Sequence, residues 1–103
     1  MEGRRMYQLK AMLTFDLHDA NSKQYAAFNN ELARRTWQKS KTSETTWTVN
    51  FKAGISPEAA TQDAMEDVKG ALMAARAADT NRIAGVSGDL ELSTLGEHKF
   101  RIE

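Results

Sequence analysis

The chain has 103 residues, of which 41% are hydrophobic and 27% charged, a mixture typical of one folded domain and unlike a disordered chain. Its 14 basic and 14 acidic residues balance, which excludes a protein that is basic throughout but allows a local basic patch. The absence of cysteine excludes disulfides, thiolate metal sites and cysteine catalysis. No apolar run approaches about 18 residues, so we expect no membrane span and no targeting segment, and we predict a cytoplasmic protein.

The first predicted element is a strand that follows a polar lead-in at residues 1–5, which we expect to be disordered. From Tyr7 to Leu17 every second residue is apolar, and Met12 is the one large apolar residue among the polar positions between them. This period of two is the pattern of a strand with one buried face.

An amphipathic helix is predicted next, from about Ser22 to Arg35. Its apolar residues recur at helical spacing, and charged residues occupy the opposite side. The turn before it offers Asp19, Asn21 and Ser22 as candidate N-caps, because short polar side chains accept hydrogen bonds from the first free backbone N–H groups of a helix.

A β-hairpin is predicted from residues 36–41 and 45–52, which a short polar connection joins. The second run alternates clearly, with Trp47, Val49 and Phe51 at one parity. Trp47 is therefore expected to share a buried face with Val49 and Phe51.

A second helix is predicted from Ser56-Pro57-Glu58, a strong helix start, to Ala78. Gly70 lies within it, at a cost of about 1 kcal/mol relative to alanine. Residues 84–92 then predict one long strand or two short ones, and alternation over residues 98–102 indicates an extra edge strand, in this chain or in a partner subunit.

The predicted order of strand, helix, hairpin, helix and strand is the ferredoxin-like βαββαβ arrangement of the α+β class. Two helices would cover one face of an antiparallel sheet, because each predicted strand has one apolar face. We expect residues 1–103 to form a single domain.

One candidate site lies at the end of the first predicted strand, where Asp16 is followed by His18 and Asp19. Asp16 is a candidate ligand for Mg²⁺ or Mn²⁺, and all three residues are candidate catalytic groups, with His18 moving protons. The structural alternative is that Asp16 is a solvated residue and Asp19 a helix cap. In a symmetric dimer, one Asp16 from each subunit would form a paired-carboxylate site.

A second candidate site is basic and aromatic and would bind nucleic acid through phosphate contacts and base stacking. Its members are Arg34, Arg35, Trp37, Lys39 and Lys41. The structural alternative is a buried tryptophan beside an ordinary charged edge. Residues 46–52 lack the basic-Gly pair that begins the RNA-recognition signature.

The segment Leu13-Thr14-Phe15-Asp16-Leu17, with the predicted element order, resembles a group of small ferredoxin-like proteins. The group includes the GhoS-type antitoxin ribonucleases, the VapD-type ribonucleases and the small dimeric nuclease of CRISPR adaptation. The resemblance implies a homodimer that acts on RNA, with Asp16 in the position of the acid at the strand end. Beyond Arg34 and Arg35, we match no arginines to those of the group, and the tail that contains Phe100 has no assigned counterpart in it.

The leading functional hypothesis is therefore a homodimeric RNA-binding protein, and a metal-dependent endoribonuclease if it is an enzyme, of a toxin–antitoxin or mobile-element system. The alternative is a protein-binding module, such as an antitoxin or a phage- or plasmid-encoded inhibitor, that acts through an exposed sheet edge. A small-molecule-binding domain of the same fold ranks third, because no polar residues converge in the sequence to favour it.

Overall fold

The computed structural model describes residues 9–43, 45–93 and 96–103, with the backbone alone described at residues 96–99. The described part is α+β: two helices and five strands, all of whose pairings are antiparallel. The strands lie in one sheet in the order β2-β3-β1-β4-β5. The elements are β1 (Lys10–His18), α1 (Ser22–Arg34), β2 (Gln38–Lys39), β3 (Thr46–Asn50), α2 (Pro57–Ala78), β4 (Gly85–Leu92) and β5 (Gly96–Ile102).

β1 is the centre of the sheet, and its alternation is the one the sequence predicts. Leu13, Phe15 and Leu17 are buried, while the even-numbered residues between them are exposed. The buried face packs with Phe28 and Leu32 of α1 in one apolar cluster. Small residues on one side of α2 complete that cluster, namely Ala60, Ala64, Val68, Ala71 and Ala75.

Both helices begin at side-chain caps. Asn21, one of the three predicted candidates, is the N-cap of α1 and forms a capping box with Gln24. Ser56 caps α2 as predicted, and its hydroxyl accepts a hydrogen bond from the Ala59 N–H at 3.1 Å. Each cap satisfies a backbone donor that the helix itself cannot.

The end of α1 shortens the predicted hairpin. Thr36 has a φ of 75°, a left-handed conformation, and the Trp37 N–H donates back to the Leu32 carbonyl at 3.0 Å. These two residues therefore complete the helix end rather than extend a strand. As a result, β2 has only two residues, and the prediction of a strand over residues 36–41 was too long.

The last two predicted strands are paired within this chain. β4 is one continuous strand, and β5 pairs with it from Leu92↔Gly96 to Val86↔Ile102. The extra strand predicted from the tail is thus confirmed as part of this chain's own sheet. Tyr7 and the lead-in at residues 1–5 lie outside the described residues, and neither described helix is long and apolar enough to cross a membrane.

Candidate functional site

The face of the sheet that α1 and α2 leave open carries polar side chains. Along β1 it presents Lys10, Met12, Thr14 and Asp16, all exposed, with Met12 at 38%. Antiparallel sheets commonly have one such solvated face, so its polarity alone does not indicate a site. The informative feature is a cluster of side chains at one end of this face.

That cluster is centred on His18, the last residue of β1. Its Nε2 atom lies 2.7 Å from the Ser87 hydroxyl oxygen, on the neighbouring strand β4. Its Nδ1 atom lies 4.0 Å from an Asp16 carboxylate oxygen, too far for a hydrogen bond but close enough for electrostatic attraction to a protonated ring. Asp16 and His18, predicted together, are therefore neighbours in space as well as in sequence.

Tyr25 of α1 holds the same end of β1. The pairing of β1 with β3 stops at Thr14↔Thr46, so the Leu17 backbone has no β3 partner on that side. The Tyr25 hydroxyl fills the gap: it accepts from the Leu17 N–H at 3.0 Å and lies 3.0 Å from Asp16 Oδ1 and 3.1 Å from the Leu17 carbonyl. Tyr25 thereby ties α1 to the strand end that bears Asp16.

The ionisation of Tyr25 follows from this position. Burial raises the pKa of its phenol, and the adjacent Asp16 carboxylate raises that pKa further, against a lowering by the Leu17 N–H. A raised pKa keeps the phenol protonated at neutral pH, so that it remains able to donate. The neutral Tyr25 hydroxyl is thus placed to donate a hydrogen bond to Asp16 Oδ1.

One arginine lies in the same row of the sheet as this cluster. The register places Asp16, Ser87 and Arg101 in one row across β1, β4 and β5, with about 4.8 Å between adjacent strands. Arg101 is largely exposed and its guanidinium pairs with Glu103. Arg76 and Arg82 line a separate open depression of about 1250 Å³, together with Asp19 and Glu103.

Asp19, the third predicted catalytic residue, lies in the turn after β1. It adopts a φ of 64°, and its backbone carbonyl accepts a hydrogen bond from Asn81 Nδ2 at 2.8 Å. Asn81 also bonds Gln24, which is fully buried. The contacts of this segment tie two loops together, and Asn21, not Asp19, caps the helix.

Arg34 and Arg35, from the predicted basic site, lie at the other end of α1 and share the carboxylate of Glu31. Arg35 also bonds Asp67 of α2 at 3.1 Å. Its guanidinium lies over Gly70, where a Cβ atom would overlap it. These contacts hold the pKa of Glu31 at about 2, chiefly through Arg34 and then Arg35.

Trp37 is buried, with 3% of its surface exposed, and its indole Nε1 donates to Asp67 at 2.9 Å. Its ring therefore faces the core instead of solvent, where stacking on a base would occur. Trp47 is buried as predicted, at 4%. Lys39 and Lys41 are exposed near the β2–β3 connection.

The two predicted sites are therefore far apart. The 13 residues of α1 separate them, a length of roughly 20 Å. Among the described residues, no three His, Asp or Glu side chains form a group that could hold a metal ion. Asp16 alone offers one carboxylate, so a Mg²⁺ or Mn²⁺ ion there would need further ligands from a second subunit or from substrate phosphates.

Three members of the cluster had no sequence signal specific enough to single them out. Ser87 and Arg101 lie in predicted strands at polar parity, so the sequence predicts their exposure but not which β1 residue they face. Tyr25 has helical spacing with Phe28 and Leu32, which indicates only that it lies on the apolar side of the helix. The register of β1, β4 and β5 brings Ser87 and Arg101 into the row of Asp16, and the packing of α1 on β1 brings Tyr25 there.

No protein-family model, curated protein or solved structure matches this chain in comparisons with known proteins. The geometry described above is therefore the basis for assigning a function.

Proposed function

We propose that the chain is a ferredoxin-like endoribonuclease that uses His18 as its acid–base group. The strand order β2-β3-β1-β4, with helices after β1 and β3, supports the ferredoxin-like assignment, with β5 added at the edge. The observation that carries the functional proposal is the cluster of Asp16, His18 and Arg101 at one end of the open face.

The chemistry of RNA cleavage needs a base for the ribose 2′-hydroxyl and positive charge beside the phosphate. His18 can supply the base, because imidazole exchanges protons near neutral pH and this ring is accessible, with 29% of its side chain exposed. Asp16 would face the ring from its Nδ1 side. Arg101 would contact a phosphate beside the scissile bond.

Two further proposals from the sequence are kept with this one. A homodimer would bring a second Asp16 to the site and so complete a metal-binding pair with Mg²⁺ or Mn²⁺. The basic side chains of Lys39 and Lys41, at the other end of the molecule, would then guide RNA instead of contacting the scissile phosphate.

The test is the cleavage of labelled single-stranded RNA by the purified chain, with Mn²⁺ and with EDTA. We expect cleavage that Asp16→Ala reduces by about tenfold or more, while RNA binding and thermal unfolding change little. Cleavage that stops in EDTA shows a metal requirement, which the loss in Asp16→Ala would then place at this carboxylate, and cleavage that continues in EDTA supports acid–base catalysis without a metal. Equal activity of Asp16→Ala and the native chain would remove Asp16 from the site.

A second candidate function is protein binding through the outer edge of β5. Among the described strands, β5 is at one end of the sheet and has seven residues, none of them proline. Such an edge has free backbone donors and acceptors that can pair with a strand of another protein. This supports the antitoxin or inhibitor hypothesis independently of any catalysis.

Truncation after Gly96 tests that candidate. Because Phe100 and Ile102 pack against the core, thermal unfolding of the truncated chain must be measured beside its partner binding. Loss of partner binding or of dimerisation by a chain that still folds supports the edge-binding function. Unchanged binding would contradict it.

A further inference from the structure

We propose that Ser87 is an activated nucleophile and that this site hydrolyses carboxylic esters through a covalent acyl-serine. The inference rests on the same His18 base as the proposed function but assigns it a different hydroxyl. The starting observation is the 2.7 Å contact between Ser87 Oγ and His18 Nε2. Nothing in the RNA-cleavage chemistry needs this contact.

The arrangement is that of a nucleophile (Ser87), a base (His18) and an acid that orients the base (Asp16). For the Ser87 hydroxyl to donate to Nε2, the ring must carry its proton on Nδ1, and Nδ1 is the atom that faces Asp16. A triad of this kind needs the 4.0 Å separation to close by rotation of the Asp16 carboxylate, whose side chain is 70% exposed. Hydrogen bonds of this kind are often long before substrate binds.

The backbone keeps the nucleophile and the base in place. Ser87 lies opposite Asp16 in the β1–β4 register, and His18 lies opposite Gly85. Ser87 and His18 are thus on paired strands, not on loops. A site on strands retains its geometry when substrate binds.

The substrate would be an ester whose carbonyl lies above Ser87 on the open face. Arg101 is the register partner of Ser87 on β5, and its guanidinium, which pairs with Glu103, would turn towards Ser87 to donate to the oxyanion that forms there. The depression that Arg76 and Arg82 line does not include Ser87 or His18. We therefore assign small esters with short acyl chains as the substrate class, because they need no acyl pocket.

The reaction balances with water as the only other reactant. Ser87 Oγ attacks the carbonyl carbon as its proton passes to His18 Nε2. The bond to the alcohol oxygen then breaks, and that oxygen takes the proton from His18. Water attacks the acyl-serine with His18 again as base, which releases the carboxylic acid and restores the Ser87 hydroxyl.

The experiment uses an alkyl fluorophosphonate, whose fluoride an activated serine displaces, with mass spectrometry to locate the adduct. We expect an adduct on Ser87, formed at least about 100-fold more slowly in His18→Gln. Ser40→Ala, which removes a hydroxyl at the other end of the sheet, should label like the native chain. Hydrolysis of p-nitrophenyl acetate should follow the same order and be lost in Ser87→Ala.

No adduct on Ser87, or an equal rate in His18→Gln, would overturn the inference. If His18→Gln fails to unfold cooperatively, Asp16→Asn replaces it, with an expected slowing of about tenfold. RNA cleavage by Ser87→Ala separates the two proposals, because the ribose hydroxyl is the nucleophile there. Labelling without RNA cleavage contradicts the ribonuclease, and RNA cleavage without labelling contradicts the esterase.

Discussion

Charged side chains lie near both ends of α1, but they differ in how fully they are paired with other groups of the protein. At the C-terminal end, Glu31, Arg35 and Asp67 bond one another and the Trp37 indole, so the charges there are matched within the fold. At the N-terminal end, His18 faces Asp16 across 4.0 Å. Groups whose partners are all internal stabilise a fold, whereas incompletely paired groups are available to a substrate.

The comparison also shows why charge alone misleads. Arg34 and Arg35 are the most obvious phosphate contacts in the sequence, yet both share Glu31 in the structure. Arg101, which the sequence does not distinguish, lies on β5 in the same row as Ser87 and Asp16, and its guanidinium pairs with Glu103. The sheet register, and not membership of a basic run, therefore decides which strand residues an arginine lies beside.

The largest expected effect on stability comes from Asp67. Asp67→Ala removes the acceptor of both Arg35 and the buried Trp37 indole, and should lower the free energy of unfolding by about 2 kcal/mol, since the partial exposure of Arg35 allows water to replace part of the loss. Urea unfolding measures this. Asp63→Ala, an exposed aspartate one turn earlier, should cost under about 0.5 kcal/mol. Equal losses would mean that the cluster is not stabilising.

A substitution at Gly70 tests whether the Arg35 guanidinium needs the space that the absent Cβ atom leaves on α2. In an Arg35→Ala background, Gly70→Ala should raise the free energy of unfolding by about 1 kcal/mol, the usual helix preference for alanine. With Arg35 present the gain should be smaller or absent, because the new methyl group displaces the guanidinium. A double-mutant cycle reports the difference, and additive gains would contradict the close approach.

The backbone of Thr36 is in an unfavourable conformation, and a glycine at this position should relieve the strain. A β-branched residue with a φ of 75° is unfavourable, so Thr36→Gly should raise the free energy of unfolding by about 1 kcal/mol. Thr36→Ala retains a Cβ atom and should give no such gain. If both substitutions stabilise equally, the backbone conformation is not the cause.

The smallest expected effect is the acid sensitivity of Glu31. Because its pKa is about 2 in the folded chain against a usual 4.5, its contribution is complete above about pH 4.5 and is lost as the pH falls towards 2. Glu31→Gln should remove this part of the acid dependence in urea unfolding between pH 5 and about pH 2.5. Arg34→Gln, which removes the largest cause of the lowered pKa, should bring the loss to higher pH. An unchanged profile in both variants would contradict the coupling.

Much of the fold follows from local patterns. The alternation of β1, the Ser56-Pro57 start of α2 and the apolar spacing of α1 each depend on neighbours within a few residues, and the structure has all three. β2 was predicted too long because the positive φ of Thr36 is not encoded by a glycine. A turn conformation carried by an untypical residue leaves no sequence signal.

The candidate site was only half predictable, for a different reason. Asp16 and His18 are two residues apart, so their proximity follows from the strand itself. Ser87 is 69 residues from His18, and only the pairing of β1 with β4 brings them together. Arg34 and Trp37 were assigned to a binding surface because nothing local shows that Glu31 and Asp67 would engage that end of the helix.

We propose that RNA cleavage takes place at the end of the molecule that carries His18 and not at the end that carries Lys39 and Lys41. The most direct measurement is the rate of single-stranded RNA cleavage by His18→Gln and Lys41→Gln in one assay. We expect His18→Gln to lower the rate by at least about 100-fold and Lys41→Gln to change it by less than about threefold. A native rate in His18→Gln, or the larger loss in Lys41→Gln, would contradict the assignment.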